Sequence, residues 1–124
     1  IVNLQNNVYG KSLESCCIDP ITGFFRDGFC HTHQSDAGIH TVCVKITEEF
    51  LEFTKMCGND LSTPNPNFDF PGLVEGDSWC LCASRWVEAY REGKAPLVNL
   101  EATNEETLAI IPLHVLEKFN YKNT

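Results

Sequence analysis

The clearest pattern along the chain is an alternation. In Thr41-Val42-Cys43-Val44-Lys45-Ile46, every second residue from Val42 is apolar and β-branched, which predicts a strand with Val42, Val44 and Ile46 on one face. The period then lengthens. Phe50, Phe53, Thr54 and Cys57 recur at helical spacing, behind Thr47 as an N-cap and Glu48 and Glu49 in the first turn. Gly58 is placed to stop that helix in a left-handed conformation. A second helical stripe, Trp79, Cys82, Ala83, Trp86 and Tyr90, predicts a helix capped by Asp77 and stopped at Gly93. Residues 97–100 read as a short strand. Thr103-Asn104-Glu105-Glu106 reads as a capping box, with a helix running to about Ile111. Pro112 breaks it or starts a final helix over residues 113–119, where His114 reads as partly buried.

The remainder lacks a period. Before Thr41 the chain reads as irregular or strand-rich, with turns at Gly10-Lys11, from Asp19-Pro20 to Gly23, and at Asp27-Gly28, then a polar loop over residues 31–38. Residues 59–76 form the longest connection, with Pro64, Pro66, Pro71, Gly72 and Gly76, and Phe68, Phe70 and Leu73 suited to pin it to the body. Strands and helices do not alternate cleanly. The expectation is an α+β fold in a single domain over residues 1–124, with its core over about 7–119. It would hold a small, mostly antiparallel sheet, three to four helices and two long loops.

Composition narrows the function classes. The chain has 124 residues and a net charge of −8, from 17 acidic against 9 basic side chains. Its arginines, Arg26, Arg85 and Arg91, are scattered, so the expectation is no nucleic-acid partner, since phosphate binding needs clustered cations. No run approaches the ~18 apolar residues of a membrane span, so no membrane partner is expected. Residues 1–7 lack the charged and apolar regions of a secretion signal. With seven cysteines, an odd number, this favours free thiols in a reducing, cytoplasmic setting.

The cysteines are the main candidate chemistry. As zinc ligands, Cys16, Cys30, Cys43 and Cys82 with His40 supply the right donors, although no Cys-x-x-Cys occurs. If residues 79–82 are helical, Cys80 and Cys82 stand about 200° apart and only one can face a given ion. As a nucleophile, Cys80 would sit in the first turn of a helix capped by Asp77, with His40 or His33 as base and Asp27 holding it. The alternative is that these thiols are small buried apolar groups. A long-range disulfide, for instance Cys30 to Cys80, also stays open. Arg26, Asp60, Trp79 and Arg85 are residue types that build a small-molecule pocket, although a tryptophan stripe on a helix is more often core.

Several strings occur together and in order: Asp19-Pro20-Ile21-Thr22-Gly23-Phe24-Phe25-Arg26-Asp27-Gly28, His40-Thr41-Val42-Cys43, Gly58-Asn59-Asp60-Leu61-Ser62-Thr63-Pro64, and Gly76-Asp77-Ser78-Trp79-Cys80-Leu81-Cys82-Ala83-Ser84-Arg85-Trp86, then Leu100-Glu101-Ala102-Thr103. Over residues 7–119 the chain resembles a small, mainly bacterial family of unknown function, domain-of-unknown-function family 2237. The resemblance implies a stand-alone domain of about this length without an established activity. It also implies that Cys16, Cys30, Cys43, Cys80 and Cys82 have family counterparts, whereas Cys17 and Cys57 are particular to this chain.

The leading expectation is therefore an accessory or ligand-binding domain whose Cys/His-rich site takes a small molecule or a metal ion, zinc being the candidate. The alternatives are a thiol-dependent enzyme with Cys80 as nucleophile, and a protein-interaction module using the Phe- and Pro-rich loop. The sequence leaves a homodimer open.

Overall fold

A computed structural model describes residues 5–17, 22, 28–33, 36, 39–68, 70 and 72–123. The alternating segment is the middle strand of a three-stranded antiparallel sheet. Strand β1 (His40–Lys45) pairs on one side with β2 (Ser78–Cys82) and on the other with β3 (Leu97–Val98). Three helices accompany it: α1 (Glu48–Met56), α2 (Ala83–Arg91) and α3 (Leu113–Lys118). Short 3-10 turns fill Pro66–Phe68, Leu100–Ala102, Glu105–Ala109 and Tyr121–Asn123. The fold is α+β, as expected. Among the described residues there are three strands, not four or five, and no helix is long and apolar enough to cross a membrane.

The two faces of the sheet differ. Val42 stands opposite Leu81 and Val44 opposite Trp79, and all four are buried in the main core. Phe50 and Leu51 of α1, and Ala83, Trp86 and Ala89 of α2, cover that face. Trp86 is fully buried, donates its Nε1 hydrogen to the Pro96 carbonyl at 3.2 Å, and packs between the rings of Tyr90 and Phe119. On the opposite face Cys43 stands across from Cys80. There a second, smaller cluster gathers Cys30, Cys43, Cys80 and Ala102, with Cys16 packed against it.

The caps of α1 match the pattern. Thr47 Oγ1 accepts from the Phe50 N–H at 3.1 Å, and Gly58 takes a positive φ of 91° just past the helix. The second helix does not begin where the stripe suggested. Ser78–Cys82 is a strand, and α2 starts at Ala83. Trp79 and Leu81 also fit a period of two, and pairing with Val44 and Val42 decides in favour of the strand. Asp77 closes a turn instead, its Oδ2 accepting from the Val74 N–H at 3.0 Å. The capping box is displaced too. Asn104, not Thr103, caps the Glu105–Ala109 turn, its side chain accepting from the Glu106 N–H. Thr103 is buried, receives the Cys43 N–H at 3.1 Å and donates to the Asn99 carbonyl at 2.8 Å. His114 is exposed rather than partly buried.

The long connection is pinned as expected. Leu73 is buried and Phe70 packs edge-on against Trp79. The N-terminal segment contributes isolated bridges, Asn6 with Ser12 and Asn7 with Asn104. Asn7 is a buried hook: its Oδ1 accepts from the N–H groups of Tyr9 and Lys11, and its Nδ2 donates to the Glu101 carbonyl. The turn from Asp19 to Gly23 falls largely outside the described residues, as does Asp27 of the Asp27-Gly28 turn.

Candidate functional site

Four cysteines are paired. Cys16 bonds Cys43 and Cys30 bonds Cys80, with Cα separations of 5.7 and 5.3 Å. Cys30, Cys43 and Cys80 are at most 1% exposed. The expectation of free thiols throughout is thereby corrected: only Cys17, Cys57 and Cys82 are free. Cys80 is not the expected nucleophile. It lies inside β2, buried and bonded to Cys30, with its N–H donated to Thr22 Oγ1 at 2.8 Å. The expected metal-ligand set is also redrawn. Cys16, Cys30 and Cys43 do gather, but Cys80 takes the place expected for Cys82 and His40.

A different thiol stands beside a histidine. Cys82 and His40 are Cα partners across β1 and β2, beside an irregularity in the register between His40 and Val42. His40 Nδ1 lies 2.6 Å from Asp36 Oδ1, and the Asp36 side chain is fully buried. Asp36 Oδ2 accepts from the His40 N–H at 2.9 Å and from Thr32 Oγ1 at 3.2 Å. The carboxylate therefore fixes both the ring and the backbone of His40, and it directs Nε2, the other ring nitrogen, away from itself. Cys82 is the N-cap of α2, at the end where aligned peptide dipoles favour an anion. Its Sγ lies 3.1 Å from Ser84 Oγ.

The chain bends sharply to make this arrangement. Ile39 has a φ of 50°, a conformation that a β-branched residue adopts only under constraint. Its carbonyl accepts from the N–H groups of Thr41 and Ala83, and its N–H donates to the Asp36 carbonyl. These three bonds tie Asp36, His40 and the start of α2 together. Strained residues held this way concentrate at functional sites.

Two grooves lie beside Asp36, Ile39 and Ser84, and neither is lined by His40 or Cys82. One, of about 590 Å³, is lined by Asp36 and Ile39 with Gln5, Thr32, Asn104 and Ile110 among others. The other, of about 710 Å³, includes Ser84, Cys57, Phe53, Val87 and Arg91. Ile110 borders both and is 41% exposed.

Residues 6–120 match the profile of a family described as an uncharacterised protein conserved in bacteria, domain of unknown function 2237. The chain belongs to this family. A search of curated proteins finds no match to it. Membership in family 2237 thus supplies no reaction, and the chemistry has to be read from the side chains.

In this family 2237 chain the remaining candidates do not converge. Arg26 and Asp27 lie outside the described residues. Asp60 serves its own loop, accepting from the Thr63 and Ser62 hydroxyls and from both their N–H groups. The Thr63 hydroxyl first, then Ser62, hold the Asp60 carboxyl well below the usual carboxylate range. Trp79 is core, 6% exposed. Arg85 donates to the Cys57 carbonyl and to Glu88. His33, the other candidate base, is exposed. Asp36 was missed. Its one sequence signal is its position four residues before His40 in a polar loop.

Proposed function

We propose that the chain is a thiol-dependent enzyme of acyl transfer or hydrolysis, with Cys82 as nucleophile, His40 as general base and Asp36 as its positioning residue. The observation that carries the reading is the 2.6 Å bond from buried Asp36 to Nδ1 of a histidine whose cross-strand backbone partner bears a free thiol. An imidazole oriented through one nitrogen presents the other to the nucleophile, which is the shared logic of Cys-His and Ser-His catalysis. In the step this supports, His40 Nε2 takes the Cys82 proton while Sγ bonds the acyl carbon. The leaving group departs with that proton, and water or a second acceptor then cleaves the thioester.

Site-resolved alkylation of the native protein tests it. Cys82 is expected to react faster than Cys17 and Cys57. His40→Gln is expected to slow turnover of an activated acyl ester by about 10²–10⁴-fold, the usual contribution of a general base. Asp36→Asn should slow it while leaving substrate KM nearly unchanged. If Cys82 alkylates no faster than Cys17, or if Cys82→Ser leaves ester turnover intact, the reading fails.

A further inference from the structure

We infer that Cys16, Cys30, Cys43 and Cys80 form a redox-conditional metal site: two disulfides when oxidised, and four thiolates around one zinc ion when reduced. This rests on residues other than Asp36, His40 and Cys82.

The first ground is the clustering of the sulfurs. Those of Cys16, Cys30 and Cys80 lie within 4.8 Å of one another, and Cys43 is bonded to Cys16. A tetrahedral zinc with Zn–S bonds near 2.3 Å sets its sulfurs about 3.8 Å apart. Three of the four sulfurs are thus already grouped near that scale, and the fourth is bonded to one of them. Both disulfides run from a loop to a strand, and neither joins the two strands. Cys43 and Cys80, opposed across β1 and β2, form a fixed half-site, and the loops bring the other two ligands.

The second ground is what holds the loops when the S–S bonds open. The Cys16 N–H donates to the Gly28 carbonyl at 2.7 Å, which ties the two loops to each other. The Cys30 carbonyl accepts from buried Asn104 Nδ2 at 3.1 Å. Cys43 and Cys80 donate their N–H groups to Thr103 and Thr22 hydroxyls. None of these bonds depends on the oxidation state of sulfur, so the four thiols stay facing one another. The third ground is need. Residues 5–17 and 28–33 contain no helix and no strand beyond isolated bridges, and among the described residues Ala102 is the only non-cysteine member of the cluster. Apolar burial alone offers little to replace two crosslinks there. In a reducing compartment a metal supplies the tie instead.

The chemistry balances. Each disulfide takes two electrons and two protons from one dithiol, which becomes a disulfide. Four thiols then release four protons as they bind one Zn²⁺. Cys16 is partly exposed and is the entry point for the reductant.

The test uses the whole chain, reduced with a dithiol, desalted under nitrogen, and titrated with Co²⁺ and then Zn²⁺. One equivalent of Co²⁺ should give the intense visible bands of tetrahedral thiolate coordination, and Zn²⁺ should displace it. The unreduced chain should take up none. In alkylation mapped by mass spectrometry, one equivalent of Zn²⁺ should protect Cys16, Cys30, Cys43 and Cys80 but not Cys17 or Cys57. Cys80→Ser should lose stoichiometric binding, whereas Cys82→Ser should keep it. A reduced wild-type chain that binds no stoichiometric metal overturns the inference. So does equal zinc protection of all seven thiols, or loss of the Co²⁺ bands in Cys82→Ser.

Discussion

One strand serves two interiors, and the two are built from different materials. Val42 and Val44 of β1 face a core closed by α1 and α2, in which Phe50, Leu81, Trp86 and Leu116 are buried. Cys43, between those valines, faces a cluster of four cysteines closed by loops. On the first side, stability scales with apolar area removed from water. On the second side there is little such area, and the load falls on crosslinks and on buried hydrogen bonds from Asn7, Thr103 and Asn104. The difference makes one half of the molecule indifferent to redox conditions and the other half dependent on them.

The largest expected effect comes from removing both disulfides without metal, as in the Cys16→Ser, Cys30→Ser double variant. The bonds span 27 and 50 residues, for which chain-entropy reasoning gives about 3.5–4 kcal/mol each. Hydrogen exchange should show the amides of residues 5–17 and 28–33 losing protection first, while Val42, Val44 and the amides of α1 keep theirs. Trp86→Ala should act the other way. It should cost about 3–5 kcal/mol and lower protection throughout, because that ring is fully buried in the main core against Tyr90 and Phe119. If the two variants give the same exchange pattern, the sheet does not separate two independently held interiors.

The same division decides what the sequence could disclose. The apolar side was legible. Val42-x-Val44 announces a strand, and Thr47, Phe50 and Gly58 announce a capped helix, since each signal lies within one element. The cysteine side was legible only as a composition. Cys30 with Cys80 could be offered as one pairing among many, but Cys16 with Cys43 could not be chosen, because connectivity is set by the fold and not by spacing. The start of the second helix was misplaced for a local reason. Trp79, Cys82 and Trp86 fit a helical period, while Trp79 and Leu81 fit a strand. Only the partner strand, absent from any local window, breaks the tie. Moving the helix start to Ala83 moves the cap position to Cys82. His40 was singled out by its residue type, whereas its buried carboxylate partner Asp36 carried no signal beyond its place in a polar loop.

A smaller effect is expected at the seam. Thr103 Oγ1 satisfies the Cys43 N–H and the Asn99 carbonyl from a fully buried position. Thr103→Val keeps the shape and removes both bonds, so it should cost about 1–3 kcal/mol in chemical denaturation. It should also raise exchange at Cys43 more than at Val42. An unchanged midpoint would mean that the polar ties contribute nothing beyond the crosslinks.

The smallest effect belongs to a loop that neither interior owns. Asp60 is exposed and organises residues 60–63 through its own carboxylate. Those hydrogen bonds lower its folded-state pKa, with the Thr63 hydroxyl the main cause. A carboxyl whose pKa is depressed by folding stabilises the fold above its unfolded value of about 3.9, and that contribution fades as pH falls through the folded value. Asp60→Asn should therefore melt slightly below wild type at pH 7, and the gap should narrow steadily below about pH 4, where the unfolded chain's carboxyl takes up a proton while the folded carboxylate stays ionised. Thermal melts of both proteins from pH 7 to pH 2 measure this. A gap that stays constant over that range would show that shape, not charge, holds the loop, and would leave the local ion–hydroxyl account of residues 60–63 without support.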